Sequence, residues 1–105
     1  MVEFDPTKGS EIGKTRPALV INVDYLGRLP LKTVVPVTDW KDRYDEFPWF
    51  VCIRPTKANG LSKLSGADAF QVKSVSVERF KERLGTVSES ELTDVVNAVR
   101  LCIGA

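Results

Sequence analysis

Residues 88 to 104 carry the clearest helical period in this chain, and both ends of the stretch are marked. Ser88 followed by Glu91 makes a capping box, and Leu92, Val95, Val96, Val99 and Ile103 then recur at helical spacing up to Gly104. The only other helical reading is one or two turns over Val77 to Arg83, ended near Gly85. Helix therefore never alternates with strand, and a βαβ sheet is not expected.

The rest reads as short strands. Val2 to Asp5 is a stub, and Ala18 to Val23 is a continuous apolar run consistent with a strand buried on both faces. Thr33 to Thr38 (TVVPVT) is a second β-branched run, but Pro36 cannot donate to a ladder, so this strand is expected at an edge or with a bulge. Phe47 to Ile53 and Ala69 to Val75 follow, with turn chemistry at Pro55 to Gly60 between them. Asp39 to Pro48, rich in charge and aromatics and without period, reads as a mobile loop. The sum is a mainly β chain, a small and strongly bent antiparallel sheet or barrel with a terminal helix.

At 105 residues the chain is read as one domain over 1–105, with 43% hydrophobic and 28% charged residues, which is ordinary for a folded protein. The net charge of +1 does not announce a nucleic-acid binder, yet the charges are segregated: Arg54 to Arg83 is basic and the terminal helix acidic. Cys52 and Cys102 sit in apolar runs without metal spacing and read as small buried side chains. No run approaches the ~20 apolar residues of a membrane span, no secretory signal is present, and the default location is cytoplasmic.

Absences narrow the chemistry. There is no histidine, so neither a Ser-His-Asp nor a Cys-His arrangement can be built, and no P-loop or dinucleotide fingerprint is present. Asp39, Asp42, Asp45 and Glu46 cluster, but Lys41 and Arg43 interleave them, which suits a solvated loop better than a metal site. What remains is Glu11, Lys14, Arg16, Thr38, Gln71 and Lys73, spread over a loop, two strand ends and a third strand.

Pro17 fixes φ after Arg16 and biases Arg16 away from the α region, a good way to aim a cation. Cations with a hydroxyl suit a phosphate, to which Arg offers a bidentate fork. RNA cleavage without metal needs little more, because the attacking 2′-hydroxyl is internal and the protein need only align it, stabilise the phosphorane and assist the leaving oxygen. Arginine, with a pKa above about 12, is a poor acid, so the proton is unassigned. By residue type an arginine near Glu11 is more often a surface ion-pair partner than a catalytic group. Trp40, Tyr44 and Trp49 suit stacking on unpaired bases, although aromatics more often serve a core. Residue types alone stop at an anion-binding small β domain.

At GSEIGKTRPALVI (Gly9 to Ile21), VVPVT (Val34 to Thr38) and QVKS (Gln71 to Ser74), the sequence resembles the MazF/PemK (Kid) family of toxin-antitoxin endoribonucleases. The resemblance implies a small SH3-like barrel of the CcdB/PemK type, with a short helix and a C-terminal amphipathic helix. It implies a homodimer that cleaves single-stranded RNA at short sequences without metal or cofactor, leaving a 2′,3′-cyclic phosphate and a 5′-hydroxyl. The family's catalytic pair falls on Arg16 and Thr38, and Glu11, Lys14, Gln71, Lys73 and Ser74 would contact RNA or hold the arginine. A cognate antitoxin with an acidic disordered tail is implied as partner, and no membrane. The family's usual R-G-D-[IV] start is missing, Phe70 stands where an acidic residue is common, and Asp39 replaces a small hydroxyl residue and would repel phosphate if it faced the cleft. The alternative is a non-catalytic CcdB-like toxin or binding module that acts on a protein such as gyrase, with its determinants on the terminal helix.

Overall fold

A computed structural model describes residues 1–3, 15–22 and 30–105. Among these, the strands are β1 (Val2–Glu3), β2 (Thr15–Arg16), β3 (Ala18–Val20), β4 (Leu31–Asp39), β5 (Phe50–Ile53), β6 (Ser65–Asp68) and β7 (Lys73–Ser76), followed by helix α1 (Glu89–Ile103). All pairings are antiparallel, in the order β3-β4-β6-β5, with β7 also on β4 and β1 on β2. This is the expected mainly β architecture with a C-terminal helix.

The nine-residue β4 is the spine, and Pro36 sits in its middle instead of at an edge. The break lies in its neighbour. On one side β4 pairs first with β7 (Val34 to Lys73) and then with β6 (Val37 to Ala67), and the 3-10 turn Ala69–Gln71 interrupts that flank between them. Val37 donates towards β3, so by antiparallel alternation the nitrogen of Pro36 faces the turn, where no ladder bond is due.

Alternation also splits the core. Val35 and Val37 pack with Ile53, Ala67 and Val95 of α1, while Val34 packs on the other side with Val2 and Val75. Each fully buried aliphatic side chain contributes roughly 1.5–3 kcal/mol of transfer free energy. The helix is built as expected: the Ser88 hydroxyl accepts from the Glu91 amide at 3.1 Å, the Glu91 carboxylate accepts from the Ser88 amide at 3.1 Å, and Gly104 closes it. Its last apolar residues stay outside the core, Ile103 being 67% exposed.

Several expectations are corrected. The helix at Val77 to Arg83 is one 3-10 turn, Val77–Arg79, because β1 draws the chain straight: Phe80 bridges Val2 and Lys81 donates to the Met1 carbonyl at 2.9 Å. Gly85 ends no helix. A Cβ there would meet the Ala58 carbonyl oxygen at 1.9 Å, so only glycine lets the two segments close and Thr86 donate to that carbonyl at 2.7 Å. The Asp39 to Pro48 segment, read as a mobile loop, continues β4 to Asp39 and then forms a 3-10 turn, Asp42–Glu46, tied down by Tyr44 stacked on Phe50 at 3.9 Å. The run Ala69 to Val75 is divided by its 3-10 turn. Strand β6, with the sequence SGAD, has no β-branched residue and carries no strand signal, yet it is buried throughout.

Two burial expectations also differ. Val20 is exposed because β3 is an edge of the five-stranded sheet, and Cys52 is exposed because Val51 and Ile53 take the inward positions of β5. Cys102 is half-buried, and both thiols are free. Among the described residues, no helix is long and apolar enough to cross a membrane.

Candidate functional site

Strands β2 and β3 form one extended run interrupted at Pro17. Ala18 pairs with Pro36, and one residue earlier Val37 donates to the Pro17 carbonyl at 2.9 Å. Continued by one more residue, that register sets Arg16 directly across from Thr38. Opposed residues project to the same face with Cβ atoms about 4.5–5.5 Å apart. Both are half-buried, and Val2 of β1 backs Arg16 from its other edge.

On its far side Thr38 pairs with Gly66, which pairs with Cys52, so the four residues form a row across the sheet. Two ångström-scale contacts explain the glycine. A Cβ on Gly66 would meet Trp40 at 3.0 Å and Phe50 at 3.2 Å, so its absence lets both rings lie over the strand beside Thr38. Trp40 follows Thr38 by two residues and therefore shares its face.

The rings continue outward. Trp40 meets Tyr44 edge-on at 5.7 Å, Tyr44 stacks on Phe50, Phe50 is 6.2 Å from Phe47, Phe47 stacks on Trp49 at 4.9 Å, and Trp49 meets Phe70 edge-on at 5.4 Å. Arg43 lies 5.6 Å over the Tyr44 ring.

The other expected residues divide. Gln71 is exposed at the end of the Ala69–Gln71 turn and donates its amide to the buried Asp68 carboxylate at 2.8 Å. Lys73 pairs with Val34 and so falls on the Thr38 face, whereas Ser74 pairs with Thr33 and falls on the opposite one. Glu11 and Lys14 lie outside the described residues. Asp39 is turned to the face opposite Thr38, where it pairs with Lys63 at 3.5 Å, both side chains being 69% exposed. Such a pair adds little stability, but its geometry takes the carboxylate away from the Arg16 and Thr38 face.

A separate cleft of about 800 Å3 opens between β3 and residues 80–87, lined by Ala18, Leu19, Phe80, Leu84 and their neighbours. Neither Arg16 nor Thr38 lines it, and its mostly apolar wall does not suit a phosphate.

A model of the PemK-like, MazF-like toxins of type II toxin-antitoxin systems matches residues 1–103. This chain belongs to that family. Among curated relatives, endoribonuclease MazF9 of Mycobacterium tuberculosis is 36% identical over 95% of this chain and 87% of its own length, and endoribonuclease MazF of Staphylococcus epidermidis is 30% identical over 99% and 86%. Among solved structures, a MazE-MazF complex from Deinococcus radiodurans superposes with a TM-score of 0.73 at 28% identity, covering 98% of this chain and 88% of the other. Mycobacterium tuberculosis toxin MazF-mt6, with a TM-score of 0.75 at 17% identity over 98% and 92%, shares the MazF fold.

The sequence pointed to Arg16, Thr38 and Lys73, and these are the MazF-like residues that register assigns to one face. Gly66 escaped it, and Phe70 showed only as a departure from the family pattern, without its exposure. A glycine in a strand without β-branched residues was the available signal for the first, and an aromatic beside the Gln71 motif for the second.

Proposed function

We propose that this chain is an endoribonuclease toxin that cuts single-stranded RNA at short sequences without a metal ion, and that Arg16 and Thr38 form its catalytic pair. The observation that carries the reading is the β3 to β4 register, which sets a half-buried arginine across from a half-buried hydroxyl. In the reaction the substrate's 2′-oxygen attacks the adjacent phosphorus as its proton departs, the bond from phosphorus to the 5′-oxygen breaks, and that oxygen takes a proton as it leaves. A 2′,3′-cyclic phosphate and a 5′-hydroxyl result. Arg16 offsets charge on the phosphorane, and the Thr38 hydroxyl donates to a non-bridging oxygen and fixes the in-line geometry.

Gln71 and Lys73 contact the RNA strand, joined by Glu11 and Lys14. Ser74, on the opposite face, is left out of that set. The whole chain acts as a single toxin domain over 1–105 and pairs as a homodimer in the cytoplasm. Its activity is held in check by a cognate antitoxin, whose acidic disordered tail folds over the Arg16 and Thr38 face. A second reading, a CcdB-like module that binds a protein such as gyrase, has one observation in its favour: Leu101 and Ile103 project from the helix end into solvent.

The experiment is incubation of the purified protein with a long single-stranded RNA in chelator, beside Arg16→Ala. Wild type cuts at a few sites and leaves 5′-hydroxyl ends, and the variant is at least ~100-fold slower, the scale of a lost transition-state charge contact. Equal cutting by both proteins removes Arg16 from the mechanism. No cutting by either leaves the protein-binding reading.

A further inference from the structure

We infer that Phe70, backed by Trp49, is a base-stacking subsite for a nucleotide flanking the scissile bond; this rests on the reading of the Arg16 and Thr38 face as an RNA groove. The chain of rings that begins at Trp40, on the Thr38 face, ends at Phe70. Five of the six are half-buried, and Phe70 is 65% exposed. Its exposure is not the looseness of a surface loop. The Phe70 amide donates to Asp68 Oδ1 at 3.2 Å, the Val72 amide to the Ala69 carbonyl at 3.3 Å, and the Ala69 amide to the Trp49 carbonyl at 3.1 Å. The ring is thus held out to solvent on a pinned turn with an indole behind it.

A flat, rigid and exposed aromatic matches the π-face of an unpaired base, and stacking of this kind needs no particular base identity. Charge points the same way. Lys73 opens the next strand on the Thr38 face, where it meets the backbone phosphates of a nucleotide stacked on Phe70. Along β4 from Thr38 to Val34 the flanking partners are Gly66, then the Ala69–Gln71 turn that carries Phe70, then Lys73, so the platform lies between the proposed phosphate site and a second cation in the order of the strand. Phe70 is therefore a binding and positioning residue, not a catalytic one.

The test compares wild type, Phe70→Ala and Phe70→Trp on one long single-stranded RNA, with cut sites mapped by sequencing of 5′-hydroxyl ends. Steady-state constants then follow on an oligoribonucleotide spanning the most-cut site. Phe70→Ala raises KM by roughly 5- to 100-fold, the loss of one base stack, with kcat within about threefold, and it flattens base preference at one position beside the cut. Phe70→Trp restores KM. An unchanged melting temperature in both variants confirms that the fold is intact, as expected for so exposed a side chain. If wild type cuts and Phe70→Ala keeps its KM and cut-site profile, the stacking subsite is refuted while the nuclease reading stands. If wild type cuts nothing, both fall together.

Discussion

Val37 donates its backbone N–H to the carbonyl of Pro17 at 2.9 Å, and that one bond joins two strands across a residue that has no N–H of its own to give. It decides which residue faces Thr38. A slip by one position would carry Arg16 to the other face of the sheet and replace it with Thr15 or Pro17. The proline that aims Arg16 is also the acceptor that locks its register.

Arg16→Lys separates charge from geometry. Lysine keeps the cation but lacks the planar fork, so cleavage falls by ~10- to 100-fold while binding to a 2′-O-methylated RNA, which cannot react, changes by less than about threefold. Parallel cleavage kinetics and binding titration check it, and a loss confined to binding would move Arg16 from the transition state to the ground state.

Gly66→Ala places a Cβ 3.0 Å from the Trp40 ring and 3.2 Å from Phe50, tight enough that both rings must shift. Overpacking of this kind costs about 1–3 kcal/mol. Urea unfolding followed by tryptophan emission reads the lower midpoint and the disturbed Trp40 environment together. Cleavage falls as well, because the displaced indole lies beside Thr38.

Asp68 holds the Phe70 turn with both oxygens, one on the Phe70 amide and one on the Gln71 side chain. Asp68→Ala removes the acceptor of the part-buried Phe70 amide and of the Gln71 side chain and costs about 1–3 kcal/mol. Asp68→Asn keeps an acceptor for the amide and loses less. Chemical denaturation ranks the two, and equal losses would show that the Phe70 turn does not depend on this cap.

Ser88→Ala removes the hydroxyl that accepts from the Glu91 amide and opens the capping box. The expected loss is ~1 kcal/mol, a fall of about 4–8 °C in melting temperature for a chain of this size. Ser88→Asp keeps an acceptor at the cap and recovers most of it. Thermal unfolding by circular dichroism at 222 nm reads both.

Local chemistry made part of this molecule legible. The terminal helix is spelled out by Ser88, Glu91, the apolar period and Gly104, all within one segment. Strand β4 shows in its β-branched run, and the catalytic candidates show in Arg16 and Thr38 as residue types at strand ends. The elements that escaped depend on partners distant in sequence. Strand β6 has a glycine at its second position because rings from Trp40 and Phe50 occupy the space a Gly66 side chain would fill. The short helix after β7 is unwound by the pull of β1 on Phe80. The aromatic segment from Trp40 to Trp49 is ordered by stacking, which leaves no periodic trace.

By itself the sequence determined the material: a helix with its own start and stop, strands limited by turn residues, no histidine, and an arginine held before a proline. Those are decisions of single residues and their near neighbours, governed by capping, φ restriction and side-chain chemistry. Tertiary structure alone decided which of them meet. It put Pro36 at the gap between β6 and β7, turned Asp39 away to Lys63, sent Ser74 to the face opposite Thr38, set Arg16 across from Thr38 and left Phe70 in solvent. Phe70 is set by its capped turn, and the other outcomes follow from strand register, which is a property of pairs of segments that no single segment carries.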